Sequence, residues 1–150
     1  HSERRALHDE TDGEVAGKAL AALRAGLTPI VCVGETLAER DDHDTDKVVG
    51  RQFDAVAAAL EGDMAKVVMA YEPVWAIGTG HTATPEQAQQ VHAFLRERLR
   101  RAGAAEVPVL YGGSVKAANA GALFAMPDVD GGLVGGASLD AKEFLAIAAA

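Results

Sequence analysis

Two kinds of residue in this sequence are placed to do chemistry: a single carboxylate at the end of one apolar run, and paired glycines at the ends of two others. The carboxylate is Glu72, within Ala-Tyr-Glu-Pro-Val-Trp-Ala-Ile-Gly-Thr-Gly at residues 70–80. At the C-terminal end of a strand, beside Tyr71, Pro73, Val74 and Trp75, it is expected to be partly removed from water. A carboxylate deprived of water holds a proton more tightly, which suits a general base near neutral pH. Pro73 stiffens its attachment, whereas Gly78 and Gly80 allow backbone conformations closed to other residues. That combination suits a hinged lid with a base at its root. An acid in this position could equally cap a neighbouring helix or pair with an arginine.

The paired glycines are Gly112-Gly113, followed by Ser114, and Gly135-Gly136. Successive backbone N–H groups in such a segment can form a nest that binds a phosphate without any lysine. One pair after a strand is usually a turn. Two pairs, after consecutive strands, point more firmly to an anion site. The histidines carry less information. His1 could act as an electrophile or acid, or be a frayed terminal residue. His8, His43 and His92 have no metal-ligand spacing and read as solvated helix or loop histidines, and His81 is ambiguous. With Cys32 inside a strand, no cluster suits zinc or iron, and no metal site is expected.

The elements that position these residues are legible in the apolar pattern. Four short runs, Thr28–Val33, Val67–Tyr71, Val107–Tyr111 and Gly131–Gly135, lack polar alternation and read as strands buried on both faces. Between them lie stretches of helical period. Ala16, Ala19, Leu20 and Leu23 share one face, as do Val49, Phe53, Val56 and Leu60, and Ala88, Val91, Leu95 and Leu99. The third of these helices opens with Thr84 as N-cap, Pro85 in the first turn and Gln87 completing a capping box. Its basic tail of Arg96, Arg98, Arg100 and Arg101 complements the negative end of the helix dipole before Gly103. A last helix is expected over Ala141–Ala149.

A helix followed by four strand–helix units argues for parallel α/β architecture in one domain over residues 1–150. Right-handed crossovers then put every strand-to-helix loop at one end of the sheet. Glu72 and both glycine pairs fall at that end, where such folds hold their ligands. The last two strands of an eight-stranded barrel often form a phosphate site there.

Composition narrows the partners. The chain has 150 residues and a net charge of −8 from 22 acids and 14 bases, which disfavours nucleic acid and anionic membranes. No apolar run is long enough to span a bilayer, and no signal-peptide core is seen. One cysteine cannot form an internal disulfide, which fits a reducing cytoplasm. The first residue is histidine, so part of a longer chain is expected.

Taken together, the segments His1-Ser-Glu-Arg-Arg, Pro29–Thr36, Ala70–Gly80, Tyr111–Val115 and Asp130–Leu139 resemble the triosephosphate isomerase family, in order and spacing and across essentially the whole chain. The resemblance implies a (β/α)8 barrel, of which this chain would supply the last four β/α units plus the preceding helix. It implies an enzyme of glycolysis and gluconeogenesis that interconverts dihydroxyacetone phosphate and glyceraldehyde 3-phosphate, without metal or organic cofactor, in the cytoplasm, as a homodimer. Under it, Glu72 matches the general base and His1 the neutral imidazole that polarises the carbonyl. Gly78 matches the lid residue whose N–H meets the phosphate. Ser114, Gly135 and Gly136 match its other backbone donors. Tyr111 matches a latch for the closed lid, and Glu3 a buried acid near the site.

Two departures stand out. His81 occupies a position where many relatives carry lysine in the C-terminal hinge of the lid. The segment carrying the family's N-terminal catalytic lysine has no counterpart here, and none of Lys18, Lys47, Lys66, Lys116 or Lys142 lies in its motif. Lys116 is nearest the phosphate loops and reads as a surface residue at a helix start. The chain alone is therefore expected to be weakly active or inactive. The alternative is a non-catalytic half barrel that binds phosphate or assembles through its open edges.

Overall fold

Runs of apolar residues buried on both faces pair as parallel strands only if helices return the chain to the same end of the sheet. The computed structural model, which describes residues 1–150, shows four such units. The strands are β1 (Ile30–Val33), β2 (Val68–Tyr71), β3 (Val109–Tyr111) and β4 (Gly131–Gly132). They form one parallel sheet in the order β1-β2-β3-β4. Val33 pairs with Tyr71 and Tyr71 with Tyr111, while Tyr111 pairs with Gly132. The fourth strand is shorter than the apolar run that announced it. After Gly132 a single further bond, from Leu133 N–H to the Tyr111 carbonyl (2.9 Å), continues the pairing before the chain turns at Gly135.

Seven helices surround the sheet: α1 (Ser2–His8), α2 (Asp12–Arg24), α3 (Leu37–Asp41), α4 (Thr45–Leu60), α5 (Pro85–Arg101), α6 (Ala117–Phe124) and α7 (Ala141–Ala148). The starts of α2, α3 and α5 are fixed by capping boxes, Thr11 with Glu14, Thr36 with Glu39 and Thr84 with Gln87. Each such cap contributes about 1 kcal/mol by satisfying N–H groups the helix leaves free. Two short helices, α1 and α3, go beyond the apolar periodicity, because neither buries more than one residue.

The core is one cluster of 26 buried residues. The helical faces expected from the sequence enter it: Ala16 and Ala19 from α2, Val49, Phe53, Val56 and Leu60 from α4, and Ala88, Val91, Leu95 and Leu99 from α5. Met69, Tyr71, Val109 and Tyr111 meet them from the sheet. No helix is long and apolar enough to cross a membrane.

Candidate active site

The sheet register sets out the site. The residues just beyond the paired Val33, Tyr71 and Tyr111 are Gly34, Glu72 and Gly112, and alternation along parallel strands puts them in one row on one face. Bonds from Glu72 N–H to the Val33 carbonyl (2.8 Å) and from Gly112 N–H to the Tyr71 carbonyl (2.7 Å) hold the row together. Both glycines are required by close approach. A Cβ on Gly34 would lie 1.8 Å from the Glu72 carbonyl oxygen, and one on Gly112 would lie 2.6 Å from Glu72 Cγ. Gly34 thus lets the Glu72 backbone carbonyl come close, and Gly112 leaves the slot that the Glu72 side chain occupies. Gln52 pins Gly34, accepting from its N–H (2.8 Å) and donating to its carbonyl (3.1 Å) while buried itself.

Glu72 is 1% exposed. Its Oε2 accepts the Ser2 N–H at 2.6 Å, and its Oε1 lies 3.3 Å from His1 Nε2. His1 is the N-cap of α1, and its Nδ1 accepts the Glu3 N–H at 3.2 Å. A nitrogen that accepts an N–H carries no proton, so the ring's single proton sits on Nε2, facing the carboxylate and the cleft. Ser2 was not singled out from the sequence, since its contribution is a backbone N–H. Glu3, expected to be a buried acid, is exposed: its backbone caps onto His1 while its side chain leaves the first turn of α1 toward water.

The segment from Pro73 to Ala83 begins with a tight turn at Val74–Ala76 and passes through left-handed backbone at Gly78 (φ 67°) and Gly80 (φ 82°). Its root is tied to a residue the sequence reading passed over, Glu35. One oxygen of this fully buried carboxylate accepts from Tyr71 Oη, Trp75 Nε1 and Arg40 Nη1, each at 3.0 Å. The Arg40 guanidinium also stacks over the Trp75 ring, 4.8 Å from its centroid. Burial and the adjacent Glu35 charge push the Tyr71 phenol well above its ordinary range, so its proton stays in the bond to Glu35. Burial pushes the Tyr111 phenol up to about 12, and its oxygen is buried without a hydrogen-bond partner in the protein.

His1, Glu72, Gly78, Ser114, Gly135 and Gly136 all line one cleft of about 710 Å³. The N–H groups of Gly78, Gly135 and Gly136 donate to no acceptor in the protein, whereas that of Ser114 donates to the Ala76 carbonyl (3.1 Å). Three backbone donors therefore stand free around the cleft, and the fourth ties the root of the 73–83 segment to the loop after β3. Two ionic side chains also line it, Lys116 and Glu143. Glu143 Oε1 is already engaged by the Ala117 N–H (2.7 Å) at the start of α6. The lining of this cleft thus combines free backbone donors with the Glu72 carboxylate.

The remaining candidates fall outside the slot. His81, His8, His43 and Lys116 are exposed. Cys32 is buried beside the site, and loss of water, with the Glu72 charge nearby, pushes its thiol up to about 11. His92, expected to be solvated, is fully buried in α5. It lies four residues after Ala88 and three before Leu95, on the helix face that packs against the sheet. No three His, Cys, Asp or Glu side chains gather closely enough to hold a metal ion.

A sequence model of a known family, described as triosephosphate isomerase, matches residues 1–150. The triosephosphate isomerase of Halorhodospira halophila is 62% identical over 152 residues, covering 98% of this chain and 61% of that protein. That of Bordetella pertussis is 63% identical over 150 residues, covering 100% and 60%. That of Herminiimonas arsenicoxydans is 62% identical over 151 residues, covering 98% and 61%. The chain thus spans about three fifths of the length of the curated relatives it matches.

Proposed function

Since the chain belongs to the triosephosphate isomerase family, a family of (β/α)8 barrels, we propose that its cleft is the isomerase active site and that it interconverts dihydroxyacetone phosphate and glyceraldehyde 3-phosphate. The reading is carried by one observation: a buried carboxylate, an imidazole N–H and three unengaged backbone N–H groups face the same cleft. The reaction needs those three functions. Glu72 takes a proton from the carbon beside the carbonyl. His1 Nε2–H donates to the carbonyl oxygen and stabilises the negative charge that develops there. Glu72 then returns the proton to the neighbouring carbon. Triosephosphate isomerase is itself the usual illustration of a glutamate base paired with a neutral imidazole.

The phosphate anchors this exchange. Gly78, Gly135 and Gly136 donate to it, so the substrate is held by fixed dipoles rather than by lysines. Residues 73–83 act as the lid, which brings Gly78 to the phosphate and keeps water from the enediolate, an intermediate that otherwise loses phosphate. In the ligand-free arrangement Glu72 is parked on the Ser2 N–H and released as the lid closes. The working enzyme is taken to be a cytoplasmic homodimer.

A second reading, a half barrel that binds phosphate and assembles through its edges, is favoured by one feature. Leu139, Phe144 and Leu145 are exposed at the β4 side of the sheet. The same edge is where a complete eight-stranded barrel would continue, and residues 1–150 by themselves are expected to turn over slowly if at all. The test is therefore one that registers proton abstraction without fast turnover. Deuterium incorporation into dihydroxyacetone phosphate should be accelerated by the protein and abolished in Glu72→Gln. Exchange that persists in that variant refutes the assignment of the base.

A further inference from the structure

The proposed chemistry leaves one buried polar side chain without a task. His92 is 0% exposed in the middle of α5, yet its ring is not surrounded by apolar groups alone. Its Nδ1 lies 3.1 Å from the Asp128 carbonyl in the loop before β4. A carbonyl only accepts, so the ring proton is on Nδ1, and Nε2 is left buried without a partner. The ring stands edge-on to Tyr71, with centroids 5.9 Å apart and planes at 82°. It is tilted by 39° against Tyr111 at 6.3 Å. Tyr71 and Tyr111 are register partners on β2 and β3, so His92 spans the pair.

Tyr71 holds the root of the 73–83 segment: it donates to the Glu35 oxygen that also accepts Trp75 Nε1. Rotation of its ring would move its hydroxyl and with it that root. We propose that His92 is a positioning residue for the lid: fixed by its bond to the Asp128 carbonyl, it sets the orientation of the Tyr71 ring and so places the root of the lid. The proposal rests on the reading of residues 73–83 as a lid. Burial holds the imidazole down at about 4, so it stays neutral at working pH despite Asp128 and Asp130 nearby, with Arg96 on the same helix pushing in the same direction as burial. A neutral ring with one directed N–H keeps a fixed orientation. A ring that merely filled space would gain nothing from a nitrogen that costs desolvation.

The chain's one tryptophan reports on the lid directly, because Trp75 is part of it. In His92→Phe an aromatic ring stays in place and the bond to Asp128 is lost. Acrylamide quenching of Trp75 fluorescence in the ligand-free protein should rise at least twofold, while the urea midpoint at neutral pH stays equal or increases because a buried imidazole is gone. Those two readouts then move apart, which a space-filling role does not produce. Combined with Tyr71→Phe, which already severs the link to Glu35, the His92 change should add little further quenching. Unchanged quenching in a folded His92→Phe protein overturns the proposal, as does full additivity with Tyr71→Phe. Should the Phe variant fail to fold, His92→Leu, close to histidine in volume, is read by the same criterion. No substrate enters these measurements, so their failure leaves the isomerase reading intact, and loss of that reading is detected separately by Glu72-dependent exchange.

Discussion

Adding one methyl group to Gly112 tests the slot that holds Glu72. An alanine Cβ there would sit 2.6 Å from Glu72 Cγ and 3.3 Å from the Tyr71 carbonyl oxygen. Carbon atoms in contact settle at about 3.5 Å, so one of the two groups must retreat by about 1 Å. The backbone cannot yield easily, since Gly112 N–H is bonded to that same Tyr71 carbonyl at 2.7 Å. On the far side, Gly34 already packs its backbone against the Glu72 carbonyl. The shift therefore falls on the carboxylate and breaks its 2.6 Å bond to the Ser2 N–H. A misplacement of about 1 Å in a reacting group costs on the order of 10²-fold in rate. Gly112→Ala should reduce deuterium exchange into dihydroxyacetone phosphate by about that factor, measured by NMR at high protein concentration. Affinity for inorganic phosphate should stay within about twofold, since a shifted Glu72 side chain leaves the glycine N–H donors untouched. Gly121→Ala is the control: no atom lies within 4 Å of that Cβ, so exchange should be unchanged. Exchange in Gly112→Ala within about threefold of the parent would refute the claim that the glycine row positions the base.

Other outcomes follow from the same geometry. Folding holds His92 at about 4 against an ordinary 6.5, so the unfolded chain takes up its proton first as the pH falls. Stability should accordingly be lost between pH 6.5 and 4, by about 3 kcal/mol from this group, and urea titrations of His92→Phe should lack that part of the slope. Glu35→Gln keeps the shape but removes the charge that three donors share, and should lower unfolding free energy by about 2 kcal/mol while increasing solvent access to Trp75. Cys32, buried and held protonated up to about pH 11, should resist iodoacetamide in the native protein and react once denaturant opens the core, as followed by intact mass.

How much of this was legible beforehand depends on the distance over which each signal acts. Strand and helix faces are local patterns, and the sequence carries them through alternation, period and caps such as Thr84 with Gln87. Glu72 and the glycine pairs were visible because they punctuate apolar runs. His92 carries two opposed signals: its polarity suggests solvent, whereas its spacing from Ala88 and Leu95 places it on the buried face, and period wins. Ser2 could not be found from side-chain chemistry, since it acts through its backbone N–H on a residue 70 positions away. The fourth strand was overextended because Gly131–Gly135 reads as one run, whereas only its first two residues enter the ladder.

The two strand-end carboxylates show why register matters more than motif. Glu35 and Glu72 each follow an apolar run, and the sequence presents them almost identically. Val33 pairs with Tyr71, so Glu72 lies level with Gly34 and Glu35 lies one residue further along. With a side-chain period of two, that single step sends them to opposite faces. Glu72 enters the cleft beside Gly112, and Glu35 goes to the side of Tyr71, where it binds Trp75 at the start of the 73–83 segment. Moving either carboxylate by one position along its strand would exchange those environments. An acid lining the cleft would become one locked among donors, and the 73–83 segment would lose its anchor. The intervening glycine at 34 thus separates the two: it lets the Glu72 carbonyl approach closely and carries Glu35 round to the other face.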